Sequence, residues 1–341
     1  VFNKKLGPAQ NSLHLHLTEI TFKNQMEGRV LEAMILANTS EMSHEEWLQA
    51  RRKGIGGSDA AAIAGLNKWK SSVAVYLEKI GQAPEEKVNS EAAYWGTMLE
   101  DVVAQEFAKR TGLKVRRKNA ILQHPEYPFM LANVDRLIVG EKAGLECKTA
   151  SEYLKEEWKD DEVPAPYLIQ CQHYMAVTGF DSWWIAVLIG GNKFIYKKIE
   201  RDEEIIQYLI QIESDFWNHH VLKKNPPMFD GSNASSELLK TLYPAAKFDE
   251  EIELPSDASE LITKYEQAKQ EEAEAAARRM EAENQLKAML GDYEKAFAGE
   301  RIVTWKNVCS SRVDTKLLKS KYPEIYQEVA KESISRRFAI K

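Results

Sequence analysis

The sequence predicts a mixed α/β (α+β) domain followed by a C-terminal helical arm. Three observations carry this. Between residues 43 and 229 the apolar period alternates between helix-like and strand-like, in the order helix, helix, strands, helix, strands, helix. Residues 230–256 are polar and break that alternation. Residues 257–296 then run almost without interruption in strong helix formers. At 341 residues, 44% hydrophobic and 29% charged, the chain is long and apolar enough to bury a real core.

The first 42 residues have no clear period and read as a weakly patterned extension. The domain proper begins at Ser43, an N-cap with Glu46 three residues on, which spells a capping box. That first helix ends near "KGIGGSDAAAIAG", where glycines mark a turn and Ser58 or Asp59 can cap the next short helix. "SSVAVYLEKIGQ" is a further helix, and "EAAYWGTMLEDVVAQEFAKRTG" a long one closed by Gly112. In it Glu100, Val103, Ala104 and Phe107 share a face, so a carboxylate interrupts an apolar stripe. Strands are expected at "KVRRKNAILQH", "FMLANVDRLIVG", "AGLECKTA", "SWWIAVLIGG" and "KFIYKKIE". Residues 129–139 and 144–150, joined through "GEKAG", read as a hairpin. "PAPYLIQCQHYMAVTG" is a helix entered through Pro164 and Pro166 and closed by Gly179. "DEEIIQYLIQIESDFWNHHVLKK" is a long amphipathic helix stopped by "NPP".

After the linker, Leu261, Tyr265, Ala268, Ala275, Ala282, Leu286 and Met289 form an imperfect seam broken by Glu272 and Arg279, which fits a solvated arm better than a coiled coil. "RIVTWKNV" reads as a strand, and "DTKLLKSKYPEIYQEVAKES" as helix broken at Pro323. The expected domains are therefore 1–42, 43–229, a linker over 230–256, and 257–341.

Charge and cysteine content narrow the function. The net charge is −6, but residues 249–300 alone carry −9, which leaves +3 elsewhere; residues 301–341 carry +6. Acidity is thus local, and phosphate binding elsewhere stays open. Cys147, Cys171 and Cys309 lie far apart, form no CxxC site and are odd in number. A reducing cytoplasm is expected. No secretion-signal layout and no run of about eighteen apolar residues is present, so no membrane span is expected.

Five polar residues stand where apolar ones belong: Asp135 in "LANVDRLIV", Glu146 and Lys148 in "GLECKTA", Glu100 on its helix, and Gln170 in "YLIQCQHYM". Each has a plain explanation alone, as an edge residue, a solvated ion pair or a backbone-bonded amide. Together they share a use. Converging carboxylates repel unless a cation neutralises them. Hard oxygen ligands with open positions suit Mg²⁺, or Mn²⁺ in its place. A lysine beside such a metal acts on an attacking water or on phosphate charge.

Asp135 with Glu146-Cys147-Lys148 resembles the PD-(D/E)xK nuclease motif, with Val134 where proline is common. In order, "WLQARRKGIGGSDAAAIAG", "WGTMLEDVVAQEF", "ANVDRLI", "LECKTA" and "YLIQCQHYMAVTG" resemble the YqaJ-type viral recombinase family, kin of the lambda-type 5′→3′ alkaline exonuclease. The resemblance covers residues 44–220 at least; "RIVTWKNV" and "ISRRFAIK" also look like the longer members. It implies a restriction-endonuclease-like PD-(D/E)xK core, a central mixed sheet flanked by helices. It implies Asp135 and Glu146 as metal ligands, the Cys147 carbonyl as a third, and Glu100 near a second metal. It also implies that Lys148 acts on the water and that Gln170 places water or Lys148. Arg51 and Ser58 match residues that grip a terminal 5′-phosphate. Two positions depart from the lambda-type pattern: Asn133 replaces a serine and Leu154 an arginine, with Arg52, Lys53 or Lys155 as possible substitutes. Strict 5′-phosphate dependence is therefore not implied.

The expected function is a Mg²⁺-dependent deoxyribonuclease acting on linear duplex DNA ends. The family adds 5′→3′ polarity, 3′ single-stranded tails for phage-type recombination, a single-strand annealing partner and a ring-shaped trimer. The rival readings are a site- or structure-specific endonuclease of the same superfamily and a catalytically silent DNA-binding protein. An iron–sulfur nuclease needs four cysteines, and there are three. Trp69, Trp183 and Trp184 are expected in the core, and His173 as a packed helix residue rather than a ligand. "KVRRKN" is expected as a solvated strand end.

Overall fold

The computed structural model describes residues 33–84, 91–331 and 335–340. The chain divides into two units, residues 1–242 and 243–341. Most of the predicted extension, residues 1–32, lies outside the described residues. Its end does not: Met34–Asn38 forms strand β1 and joins a sheet.

Four helices open the first unit: α1 (His44–Arg51), α2 (Gly57–Ile63), α3 (Ser72–Lys79) and α4 (Glu91–Thr111). The Ser43–Glu46 capping box forms as read. The cap of α2 differs: Gly56 is the N-cap, and Ser58 and Asp59 lie inside the helix, with Asp59 Oδ2 accepting from Gly56 N at 3.1 Å. Then come β2 (Val115–Arg117), β3 (Ala120–Gln123), β4 (Leu131–Asn133), β5 (Arg136–Ile138) and β6 (Ala143–Ala150). A 3-10 turn (Glu152–Trp158) leads to α5 (Ala165–Thr178), which ends at Gly179 with φ +67°. The hairpin β7 (Ser182–Ile189) and β8 (Lys193–Glu200) precedes α6 (Glu203–Asp215), which continues as a π-helical turn, Phe216–Val221. Helix α7, Asn233–Leu242, falls in the stretch expected as a linker; its Ala234 and Ser235 are buried, which anchors it to this unit.

A five-stranded mixed sheet runs β2-β5-β6-β7-β8, and a three-stranded antiparallel sheet runs β1-β3-β4. Only β6 and β7 are parallel, with Glu146 opposite Ile185 and Lys148 opposite Val187. The sequence reads 114–124 and 129–139 as single strands, and the structure splits each between the two sheets. The second break falls at Val134–Asp135. Continuing the β5–β6 register, Arg136 with Leu145 and Leu137 with Gly144, would put Asp135 opposite Glu146. There the Cys147 N–H is taken by the Asp135 side chain, Oδ2 at 2.8 Å, so the strand is free to bend away. The β5–β6 hairpin itself forms as expected.

Strand alternation sorts the central strands between two helical layers. Leu145 and Ala186 face α4 and pack with Val103, Ala104 and Phe107. Trp183, Ile185 and Val187 face α5 and pack with Cys171, Tyr174 and Met175. Trp183 lies across Gly144 so closely that a Cβ there would meet its ring at 2.2 Å. Both faces of the central strands are covered, which is why β7 reads as an apolar run. Of the three tryptophans expected inside, Trp183 is fully buried, Trp184 is half-buried, and Trp69, on the loop between α2 and α3, is 62% exposed.

In the second unit, α8 (Ala258–Leu290) is followed by the hairpin β9 (Lys295–Ala298) and β10 (Arg301–Thr304). Helices α9 (Thr315–Lys321) and α10 (Pro323–Val329) meet at Pro323, as the sequence requires. Among its described residues only Leu290 is buried, and Leu261, Leu286 and Met289 of the seam are exposed. Pairs such as Lys264–Glu260 at 2.8 Å and Lys287–Glu283 at 2.6 Å support the helix along its own surface. Tyr265 meets Phe338 edge-on at 5.6 Å.

Two stability measurements test this packing. Gly144→Ala is expected to lower the unfolding free energy by about 2–3 kcal/mol, since the indole of Trp183 has nowhere to move; an unchanged urea midpoint would refute the close approach. His124 is a pH probe. Its Nδ1 accepts from Glu126 N and Tyr127 N, both at 3.1 Å, and burial lowers its pKa to about 4. A histidine depressed in the fold binds fewer protons there than when unfolded. Its stabilising contribution is whole above about pH 6.5 and is lost as pH falls towards 4, on the order of 3 kcal/mol in all. His124→Asn, which keeps an acceptor near that position, is expected to flatten the slope of stability against pH in this window.

Candidate active site

The site is built where β5 and β6 part. Glu146 and Lys148 project from the same face of β6, as their two-residue spacing dictates. Glu146 is buried at 3% exposure, which for a carboxylate demands partners. Its Oε1 accepts from Lys148 Nζ at 2.5 Å and from Gln170 Nε2 at 2.7 Å. Its Oε2 is buried without a hydrogen-bond partner. Gln170 donates its other amide hydrogen to the Tyr174 hydroxyl at 2.8 Å, one turn along α5. Lys148 also lies 5.4 Å from the Tyr167 ring centroid. Burial works against its ammonium, but Glu146 and Asp135 outweigh it and hold the pKa above the usual lysine value.

Asp135 sits at the break between β4 and β5, its Oδ2 on Cys147 N at 2.8 Å. Burial, then the charges of Glu146 and Glu100, push its pKa well above the usual carboxylate range. Cys147 turns its thiol to the opposite face, where burial raises its pKa, so it is no nucleophile. Glu100 reaches the site through an intermediary. Arg136 Nη1 donates to Glu100 Oε1 and to the Asp135 carbonyl, both at 2.6 Å, and Nη2 donates to Asp101. Asp101 in turn holds Arg117 of the "KVRRKN" run.

Asp135, Glu146, Lys148 and Gln170 are thus brought together, and Glu100 is joined to them by Arg136. Among the described residues no three His, Cys, Asp or Glu side chains gather as a metal cage. The donor set instead fits a hard cation held by few protein oxygens: two carboxylates, one with a free buried oxygen, beside the Cys147 backbone. Burial and then the neighbouring carboxylates raise the Asp135 pKa, and a cation held here would offset both.

Arg51 and Ser58 form a second group. Arg51 Nη2 donates to Ser58 Oγ at 3.3 Å, and the guanidinium lies 4.7 Å over the Trp47 ring. Gly57 joins the two groups, because a Cβ there would meet Tyr174 at 2.7 Å and Gln170 Cγ at 3.0 Å.

The sequence did not single out Arg136, Tyr167 or Tyr174. Arg136 follows the motif aspartate directly, and a basic residue in an apolar strand was the available signal. His173 is a packed residue as expected: fully buried, with Nδ1 2.8 Å from Glu213 Oε1 and Nε2 2.9 Å from the Leu131 carbonyl.

Fold and site together define a mixed-sheet α/β protein with a carboxylate–lysine centre at a strand break. The YqaJ-like viral recombinase domain matches residues 46–181, a span that holds every residue named in both groups. An uncharacterized protein of Bacillus subtilis (strain 168), YqaJ, is 51% identical over 311 residues, 91% of this chain and 98% of that protein. The chain belongs to the YqaJ-like viral recombinase family, as its motifs indicate. It is also similar to the structure of an alkaline exonuclease from Laribacter hongkongensis, at 21% identity and TM-score 0.44, over 53% of this chain and 94% of that one. A phage-related exonuclease from Haemophilus somnus 129PT matches at 15% identity and TM-score 0.40, over 50% and 96%. No described helix is long and apolar enough to cross a membrane.

Arg136→Met is expected to cost about 2–3 kcal/mol, because Glu100 loses its cation beside two other carboxylates. Arg136→Lys should recover only part, since one ammonium cannot serve Nη1 and Nη2 partners at once. Equal urea midpoints for wild type and Arg136→Met would remove Arg136 from this account.

Proposed function

We propose that the protein is a metal-dependent deoxyribonuclease that hydrolyses phosphodiester bonds of linear duplex DNA as a 5′→3′ exonuclease. One observation carries the reading: a buried Glu146 with one oxygen bonded to Lys148 and Gln170 and the other without a partner, next to the like-charged Asp135. A purely structural or DNA-binding site has no use for clustered carboxylates where phosphate must approach. Family membership supports the same reading.

Mg²⁺ is the cofactor this reading requires, with Mn²⁺ as a substitute; Asp135, Glu146 and the Cys147 carbonyl would hold it, with Glu100 beside them. Bound there, it would supply Lewis-acid stabilisation of charge at the scissile phosphate. The side chains do the rest. Lys148, kept as an ammonium by its neighbours, orients the attacking water and offsets charge gathering on the phosphate oxygens. Gln170 fixes the Glu146 carboxylate, and through it Lys148, from a helix buried over its last ten residues. Tyr167 screens the lysine from bulk water. Arg51 and Ser58 bind the terminal 5′-phosphate, which sets the end from which digestion starts.

The products are mononucleotides and 3′ single-stranded tails, the substrate of a single-strand annealing partner in phage-type recombination. The proposal includes a ring-shaped homotrimer working on DNA ends in the cytoplasm of a bacterial cell.

Digestion of end-labelled linear duplex with Mg²⁺ tests the reading. Asp135→Ala and Lys148→Ala are each expected to slow it by about 10²-fold or more, and a covalently closed circle should remain intact. Undiminished digestion by both variants would sink the proposed chemistry. Cleavage of the closed circle would favour an endonuclease instead.

A further inference from the structure

Asp59 is fully buried, yet it is the immediate neighbour of the exposed Ser58. Its Oδ1 accepts from Lys70 Nζ at 2.8 Å, and its Oδ2 from Lys79 Nζ at 2.6 Å and Gly56 N at 3.1 Å. Lys79 Nζ also donates to the Arg51 carbonyl at 3.2 Å. One ammonium, from α3, therefore ties the last residue of α1 to the carboxylate beside Ser58. The direct contacts of the Arg51 guanidinium are neutral, Ser58 Oγ and the Trp47 ring, and it forms no ion pair of its own with Asp59, whose two oxygens are taken by Lys70, Lys79 and Gly56 N. Lys70 and Lys79 are spent on carboxylates: Asp59 for both, Glu78 for Lys70 as well.

We infer that Asp59 is a positioning residue: with Lys79 it sets the spacing of Arg51 and Ser58 from beneath, so that the pair meets a terminal phosphate already assembled. The inference rests on the assignment of that pair to the 5′-phosphate. Buried ion pairs stabilise poorly against apolar groups of the same volume, whereas they fix geometry well when every oxygen is bonded. Both Asp59 oxygens are bonded, and the turn they hold carries no side chain at Gly56 or Gly57. Burial would raise the Asp59 pKa, but Lys70, Lys79 and Arg51 hold it well below the usual range, so the clamp stays charged. The sequence offered Asp59 only as a helix cap.

Full-length wild type, Arg51→Ala, Asp59→Asn, Lys79→Gln and Gln172→Leu are compared on duplexes with 5′-phosphate and 5′-hydroxyl ends. Gln172 is buried on α5 but bonds to Glu200 and Asp202, away from the turn. Wild type should prefer the phosphate. Asp59→Asn and Lys79→Gln should cut that preference on the order of tenfold, as a raised KM for phosphate ends with kcat largely kept. Gln172→Leu should lower the melting temperature and leave the preference unchanged. If Asp59→Asn does not fold, Lys79→Gln decides. Retained preference in folded Asp59→Asn and Lys79→Gln, with loss in Arg51→Ala, overturns the positioning role and leaves the phosphate reading standing. Equal rates on both ends for wild type overturn both.

Discussion

Burial of the Glu146 carboxylate is the constraint around which the first unit is arranged. An ionised group taken out of water must find charge and hydrogen bonds inside. Glu146 finds them in Lys148, two residues along its own strand, and in Gln170, on a helix packed against the sheet. That demand fixes the depth of α5. It also fixes Tyr174, which shares the Gln170 amide, and Gly57, where a Cβ would strike Tyr174. Its other oxygen is left buried without a hydrogen-bond partner.

The strand break at Asp135 solves a related problem. Two carboxylates side by side on a regular ladder would point to one face and repel. By bending β4 into the other sheet, the chain lets Asp135 bond a backbone N–H of β6 while staying beside Glu146. Arg136, next in sequence, then turns its guanidinium to Glu100 and Asp101 and gathers the acidic helix face to the same corner. The two sheets are thus a consequence of the site as much as a scaffold for it.

The second unit obeys different rules. Its long helix buries almost nothing and is held by composition and by ion pairs one turn apart. The interruptions at Glu272 and Arg279, visible in the sequence, fit a helix whose seam residues stay exposed. Segments of this kind are legible from sequence because local propensity decides them.

Sequence alone determined the elements whose cause is local: the Ser43 capping box, the stops at Gly112 and Gly179, the entry through Pro164, the break at Pro323, and the shared face of Glu146 and Lys148. Its ordered motifs also determined the family. Tertiary structure decided what depends on groups distant in the chain. It split two apparent strands between sheets, the second of them where the Asp135 side chain takes the ladder donor at Cys147. It brought β1 out of an unpatterned terminus and made a helix of part of a polar stretch, because partners in space supplied the burial. It placed Trp69 outside, on the loop between α2 and α3. It made Asp59 and Arg136 central, because a buried charge draws its meaning from the partners around it, and those are set by the fold.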